Sequence, residues 1–352
     1  MPKTFFAMTV LVVASATVSG GQPDARASFT VGTATASRGQ LVRGVVKVPA
    51  GVDAGYDIPV AVVHGAKAGP VLAVVAGSHG TEYTSIIAVE QLIDAVNPAT
   101  LSGTLILVPL VNTASYEQLV PHVNPVDGKS MNRFYPGNPN GTQTERASYA
   151  LTKAVVEPCD HLIDLHGGDL DENLRPYSYW TVTGNQKQDE ASRAMVLAFG
   201  LDHIIISADR PKDPAASRFL ENTASTRGKP SITAEAGRSG PVDPAETAML
   251  VRGVKNVMAH LKMTADAVTP VERPIWIERV VTIAAEQNGM FHAAVDRDAR
   301  VTKGAKIGVV TDYLNKPLQQ ITANDEGIIL FVRAVPTLKK GDTIANIGVV
   351  KR

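Results

Sequence analysis

The stretch Val71–Ser85, VLAVVAGSHGTEYTS, decides the fold. Its apolar run, Val71, Leu72, Val74 and Val75, has the length and composition of a buried strand. Gly77 and Gly80 let the backbone turn sharply where that strand stops. Beyond them Ile86, Ile87, Val89, Leu92, Ile93 and Val96 recur at helical spacing until Asn97-Pro98 ends the run. His79 and Glu82 therefore stand at the carboxyl end of a strand, at or just before the first turn of a helix. Open α/β sheets hold their ligands in that crevice. Three residues apart in helical geometry, both side chains point the same way. An imidazole and a carboxylate converging there can make two bonds to one zinc ion. Taken alone, the same pair also describes a surface histidine near a solvated glutamate.

A second stretch changes the balance. Cys159–Asp169 reads CDHLIDLHGGD, and its apolar residues Leu162, Ile163 and Leu165 form a strand that delivers His166 just before two glycines. That supplies a third ligand from a neighbouring strand end. Two nearby ligands, a distant third and one position open for water make the catalytic arrangement of zinc, whereas structural sites are usually closed by four protein ligands.

The chain has 352 residues, a length that accommodates two domains. Lys plus Arg equals Asp plus Glu, 34 each, so no global field points to nucleic acid or to an anionic membrane. Cys159 is the sole cysteine, which excludes an intrachain disulfide and a thiolate-rich metal site. It precedes a strand that reads as buried, a poor setting for a nucleophile.

At the N-terminus Lys3 and the apolar run Phe5–Val13 are followed by small residues. The apolar core is too short to span a bilayer comfortably, and the pattern reads as a secretory signal over residues 1–20, cleaved near Ala16 or Gly20. No cysteine stands at the junction to carry lipid. The expectation is an exported protein, periplasmic or extracellular, with no stable membrane insertion once the signal is removed.

From Ala27 to about Val62 the sequence alternates as strands do, with turns at Gly39, Ala50-Gly51 and Gly55. A second buried strand covers Thr104–Val111. The segment Thr113–Gly141 has no clear period, is rich in Pro, Asn and Gly, and is long enough to be a functional loop. Helical stretches at Thr144–Val156 and Gln188–Phe199 alternate with strands at Tyr179–Thr183, His203–Ser207 and Ser231–Ala236, and a strongly periodic helix covers Asp243–Leu261. Strand and helix in alternation predict an α/β fold, with a sheet flanked by helices on both faces. After a linker at Thr264–Pro274 the texture becomes short strands and Gly turns, a small all-β domain. The expected domains are a catalytic one over residues 27–263 and a C-terminal β domain over 275–352.

Four motifs occur in order: Gly77-Ser78-His79-Gly80-Thr81-Glu82, Met131-Asn132-Arg133 with Pro136-Gly137, Asp164-Leu165-His166, and Thr233-Ala234-Glu235-Ala236-Gly237. Together they resemble the succinylglutamate desuccinylase/aspartoacylase family, whose fold is zinc carboxypeptidase-like, from about Ile58 to Leu261. The resemblance implies a mixed sheet, one zinc ion per chain on His79, Glu82 and His166, and a hydrolase that cleaves an amide or N-acyl bond. It further implies Glu235 as general base and proton shuttle, and Asn132 and Arg133 as substrate binders. The chemistry is consistent with those roles. Zinc lowers the pKa of water to roughly 7, a carboxylate must carry the proton to the leaving amine, and an arginine fork suits a substrate carboxylate. One departure stands out. Many relatives carry an arginine upstream of the Asn-Arg pair, where Val120–Pro125 has none, and His122 is the nearest polar substitute.

Just past His166 comes an acidic run, Asp169, Asp171 and Glu172. As a solvated loop it means little, but if it lines the pocket it favours a substrate bearing an amine. The expected partner is thus a small N-acyl amino acid or a short peptide. Two classes of function follow. One is a zinc amidohydrolase, acting as a deacylase or as a carboxypeptidase on short peptides. The other is a catalytically silent protein that keeps the metal to recognise a carboxylate, or whose β tail binds a glycan. Glu235 separates them, because a binding module needs the ligands but not the proton shuttle. Neither the acyl group nor the oligomeric state is written in the sequence.

Overall fold

A computed structural model describes residues 26–351 of the chain. The proposed signal segment lies outside them. Two short strands, β1 (Ser28–Val31) and β2 (Ala34–Ser37), pair with each other. The main sheet begins with the antiparallel pair β3 (Gln40–Val48) and β4 (Tyr56–His64). Then come β5 (Lys67–Val75), α1 (Tyr83–Ala95), β6 (Ser102–Val108), the short α2 (Thr113–Gln118) and α3 (Gln143–Leu151), whose end widens into a π turn over Thr152–Val156. The chain continues with β7 (His161–His166), β8 (Glu172–Leu174), β9 (Tyr177–Thr181), α4 (Gln186–Phe199) and β10 (His203–Ser207). After α5 (Leu220–Ser225) and β11 (Ser231–Glu235), α6 (Pro244–His260) starts at Asp243, whose carboxylate caps the N–H groups of Ala245 and Glu246.

Strands β5, β6, β7 and β11 are mutually parallel, as βα crossovers require, and β9 runs antiparallel beside β11. Because successive strand residues face opposite sides, β5 divides its apolar residues between two cores. Leu72 and Val74 join α1, α4 and α6 on one face through Leu92, Phe199 and Val254. Val71, Ala73 and Val75 join α3 and α5 on the other through Leu151 and Leu220. The sheet is covered on both faces, as its near-continuous apolar strands imply.

The C-terminal β region is made of β12 (Ile275–Ala284), β13 (Gly289–Ala293), β14 (Arg300–Val301), β15 (Lys306–Thr311), β16 (Pro317–Thr322), β17 (Gly327–Arg333), β18 (Thr337–Leu338) and β19 (Thr343–Val350). It does not form an isolated sheet. Strand β12 pairs in parallel with β10, so β14, β17, β19 and β12 extend the main sheet to 13 strands among the described residues. The strands β16, β15, β13 and β18 form a second sheet that closes over this extension around Phe291, Ile307, Ile329 and Ile347. Strand β8, directly downstream of His166, pairs with β17. That pairing carries C-terminal side chains to the mouth of the central crevice. No described helix is long and apolar enough to cross a membrane.

Candidate active site

The crevice lies at the carboxyl ends of β5, β7 and β11. Gly77 takes a positive φ of 71° as the chain leaves β5, and a Cβ on Gly80 would lie 2.4 Å from the Tyr116 nitrogen, so both glycines are needed for the turn. The turn closes with the Glu82 N–H on the His79 carbonyl at 3.4 Å, and Glu82 is the cap residue that begins α1. On β7 and β11 the register sets Glu235 beside His166. His79, Glu82 and His166 bring ligand atoms within 4.8 Å of one another.

The surroundings suit a cation. Glu82 Oε2 accepts from His166 Nδ1 at 2.9 Å and from the Gly167 N–H at 3.1 Å, while Asp164 Oδ1 lies 3.3 Å from His166 Nε2. Burial disfavours charge on His166, but the Asp164 and Glu82 carboxylates override it and hold its pKa well above the ordinary histidine range. Two carboxylates thus converge on a place that favours positive charge. His79 is the complement. Its Nδ1 is engaged by the His122 carbonyl at 3.0 Å, which leaves Nε2 for a metal, and burial followed by the neighbouring His166 pushes its pKa well below the usual value. Two imidazoles and a carboxylate whose ligand atoms converge fit a zinc ion.

Glu235 projects into the same cavity of about 500 Å³. The Tyr177 hydroxyl donates to its Oε2 at 3.1 Å, and burial, partly offset by His166, raises its pKa to about 7. Asn132 is buried with Nδ2 2.8 Å from His166 Nε2, so its amide braces a candidate ligand. Arg133 is exposed at the cavity mouth, its guanidinium carbon 4.9 Å from the centre of the Phe219 ring.

His122 also lines the cavity, with a left-handed φ of 64°. Its Nε2 lies 2.8 Å from Asp171 and its Nδ1 3.4 Å from Asp169, so both ring nitrogens face carboxylates. Burial opposes its charge, yet the Asp171 hydrogen bond and Asp169 raise its pKa to about 9. The acidic run is not a solvated loop. Asp169 is fully buried and accepts from the Thr81 hydroxyl and from the backbone N–H groups of His122 and Leu170. Asp171 and Glu172 line the cavity, and Arg333 of β17 reaches Asp171 and Asp342 at 3.2 Å each.

The sequence does not mark the lining residues Tyr179, Arg210, Arg333 and Asp342, nor Tyr177, which holds Glu235 from behind the wall. The aromatic content of the Tyr177–Thr181 strand was the only available hint. Cys159 stays outside the site, and burial pushes its thiol up to about 12.

The catalytic-domain model of the succinylglutamate desuccinylase/aspartoacylase family matches residues 68–261. The chain belongs to this family. Membership makes it a hydrolase of the deacylase class, acting on amide carbon–nitrogen bonds outside peptide chains. A curated relative, the N-alpha-acetyl-L-2,4-diaminobutyric acid deacetylase of Halomonas elongata, is 27% identical over 299 residues, covering 83% of this chain and 86% of the relative. Among solved structures, the ectoine utilization protein EutE (DoeB) of Ruegeria pomeroyi, with product bound, superposes with a TM-score of 0.79 at 22% identity, covering 93% of this chain and 98% of that one. A succinylglutamate desuccinylase from Silicibacter sp. TM1040 gives 0.78 at 21% identity, over 88% and 95% of the two chains. Both share the fold of this family member.

Proposed function

We propose that the protein is an exported, zinc-dependent deacylase that hydrolyses the amide bond of an N-acyl amino acid carrying a free amine. The observation that carries this reading is the meeting of Glu235 with His79, Glu82 and His166 in one cavity that has guanidinium groups on one wall and carboxylates on another. The named substrate of the Halomonas elongata relative is an acetylated diamino acid, which supports this reading, and Asp171, Glu172 and Asp342 line the cavity together with their partners His122 and Arg333.

His79, Glu82 and His166 would hold the zinc, which supplies an electrophile for the scissile carbonyl and makes water acidic enough to attack near neutral pH. Glu235 accepts the proton of the attacking water and returns it to the departing amine nitrogen. The Tyr177 hydroxyl fixes the Glu235 carboxylate and limits its rotation. Arg133 anchors the substrate carboxylate, and Asn132 and the His122 carbonyl keep the two imidazoles in orientation. The two ring nitrogens of His122 are already committed to carboxylates, so its side chain acts on substrate through charge.

The test is a hydrolysis screen of Nα-acetylated amino acids and short peptides with the zinc-loaded mature chain. Acetylated diamino acids should lead, ahead of neutral N-acetyl amino acids. If short peptides lose C-terminal residues while no N-acyl amino acid is cleaved, the protein is a carboxypeptidase and the deacylase reading falls. Export is checked separately by sequencing the N-terminus of protein from the native host, which should begin between about residues 17 and 28. An intact Met1 in a cytoplasmic fraction would refute it.

A further inference from the structure

Arg210 lies in the loop between β10 and α5, a stretch with no periodicity, and its side chain lines the cavity. Its guanidinium carbon is 4.0 Å from the centre of the Phe219 ring, the ring that Arg133 also approaches. Tyr179 stands 6.0 Å from the same guanidinium. Two like charges on one aromatic platform repel each other. The negative face of Phe219 offsets part of that cost. No ion pair joins either guanidinium to a carboxylate within 4.0 Å among the described residues. Arg210 Nε is buried and lacks a hydrogen-bond partner. Buried donors without partners are rare in folded proteins, and Arg210, whose side chain lines the cavity, keeps its guanidinium there without a carboxylate partner.

Glu221, the nearby buried acid, does not fill that place. Its carboxyl accepts from the Ser231 hydroxyl at 3.0 Å, and burial raises its pKa against the opposing pull of Arg210. What the two arginines lack is a planar anion with several acceptor sites. A carboxylate is such a group, with two oxygens that can each take N–H donors from a guanidinium fork.

We propose that Arg210 and Arg133 together seat the substrate carboxylate, with Phe219 as their common platform. This rests on the N-acyl amino acid reading above and makes Arg210 a specificity-determining residue of that site. A lone Arg133 at an exposed mouth would hold a carboxylate weakly, since exposed ion pairs contribute little. A second guanidinium on the cavity wall lets the site distinguish a free carboxylate from its amide.

The test compares Arg210→Gln and Arg210→Lys with wild type, using the full zinc-loaded chain. The probes are Nα-acetyl-2,4-diaminobutyrate and the same compound with its carboxylate converted to the carboxamide. Arg210→Gln should raise KM for the carboxylate by about 10–100-fold, the range of a lost charge-assisted hydrogen bond, and change kcat by only a few-fold. The carboxamide should be cleaved alike by wild type and variant, and Arg210→Lys should restore part of the carboxylate KM. An equal loss on both compounds makes Arg210 structural and overturns the proposal, as does an unchanged KM. Should Arg210→Gln lose its cooperative melt, Arg210→Lys carries the test, with a smaller rise in KM that is still confined to the carboxylate. Calorimetry with free 2,4-diaminobutyrate and with 1,3-diaminopropane separates this proposal from the deacylase reading, because binding needs no turnover. Weaker binding of the amino acid alone in Arg210→Gln supports Arg210 even if nothing is hydrolysed. Equal binding of both probes by wild type and variant removes Arg210 from the site even if deacylation is found.

Discussion

Glu235 is the residue on which hydrolase and silent binding protein part. Glu235→Gln preserves size and hydrogen bonding but cannot accept the proton of water. General acid–base catalysis contributes roughly 10²–10⁴-fold, so kcat should fall by about that factor while zinc content stays unchanged. Its pH dependence has a definite sign. The base must be deprotonated, so kcat/KM should be low at acid pH and rise as Glu235 titrates. Burial puts that titration at about 7 without metal, and a cation nearby favours the carboxylate, so the limb should lie at or below about 7 in the loaded enzyme. Glu235→Gln should lose the limb. Near-wild-type turnover in that variant would make Glu235 structural. His166→Ala is the companion measurement: bound metal should drop from about one ion per chain to almost none, and equal metal content in both proteins would remove the site.

At the scale of elements, the glycine-punctuated ends of β5 and β7 were legible because an apolar run stopped by glycine has few readings. Glu235 was legible because Ile232 and Ala234 mark a strand that ends beside it. What held these ends together was not legible. Asp169 appeared as one of three acids in a loop, yet it is fully buried and joins Thr81, His122 and Leu170. Nothing in the sequence ranks one loop carboxylate above its neighbours. Only the fold shows that Asp169 fixes the His122 backbone, whose carbonyl in turn fixes His79. Asp169→Ala should therefore leave all three ligands in the chain and still lower zinc affinity, by about the 10–100-fold usual when a partner of a ligating histidine is lost. Competition with a chelator measures it, and an affinity equal to wild type would mean that the Asp169 lock does not reach the metal site.

At the scale of the molecule, the stretch Thr264–Pro274 reads in sequence as a linker, with the β tail a unit of its own. A change of texture from helix to short strands is visible in a sequence, but the partner of an edge strand is not, because alternation tells which face a residue takes and not which strand lies beside it. In the structure β12 continues the main sheet from β10, and Tyr177, Ile205, Ile277 and Leu330 form one small core across the junction. Tyr177 in that core also holds Glu235, and Phe331, Arg333, Asp342 and Thr343 complete the cavity wall. A chain ended after residue 263 would leave the edge of β10 unpaired, expose that apolar core and open the acidic wall to water. Unpaired edges invite aggregation, and Asp171 would lose Arg333 as its partner. The truncated chain should accordingly be poorly soluble or melt without a cooperative transition. Any soluble fraction should hydrolyse the preferred substrate at least ten-fold more slowly than the full chain, on the order of the loss when positioning groups are disturbed. A soluble, cooperatively folded fragment with full activity would show that the C-terminal strands are an appendage and that the catalytic region closes its own site.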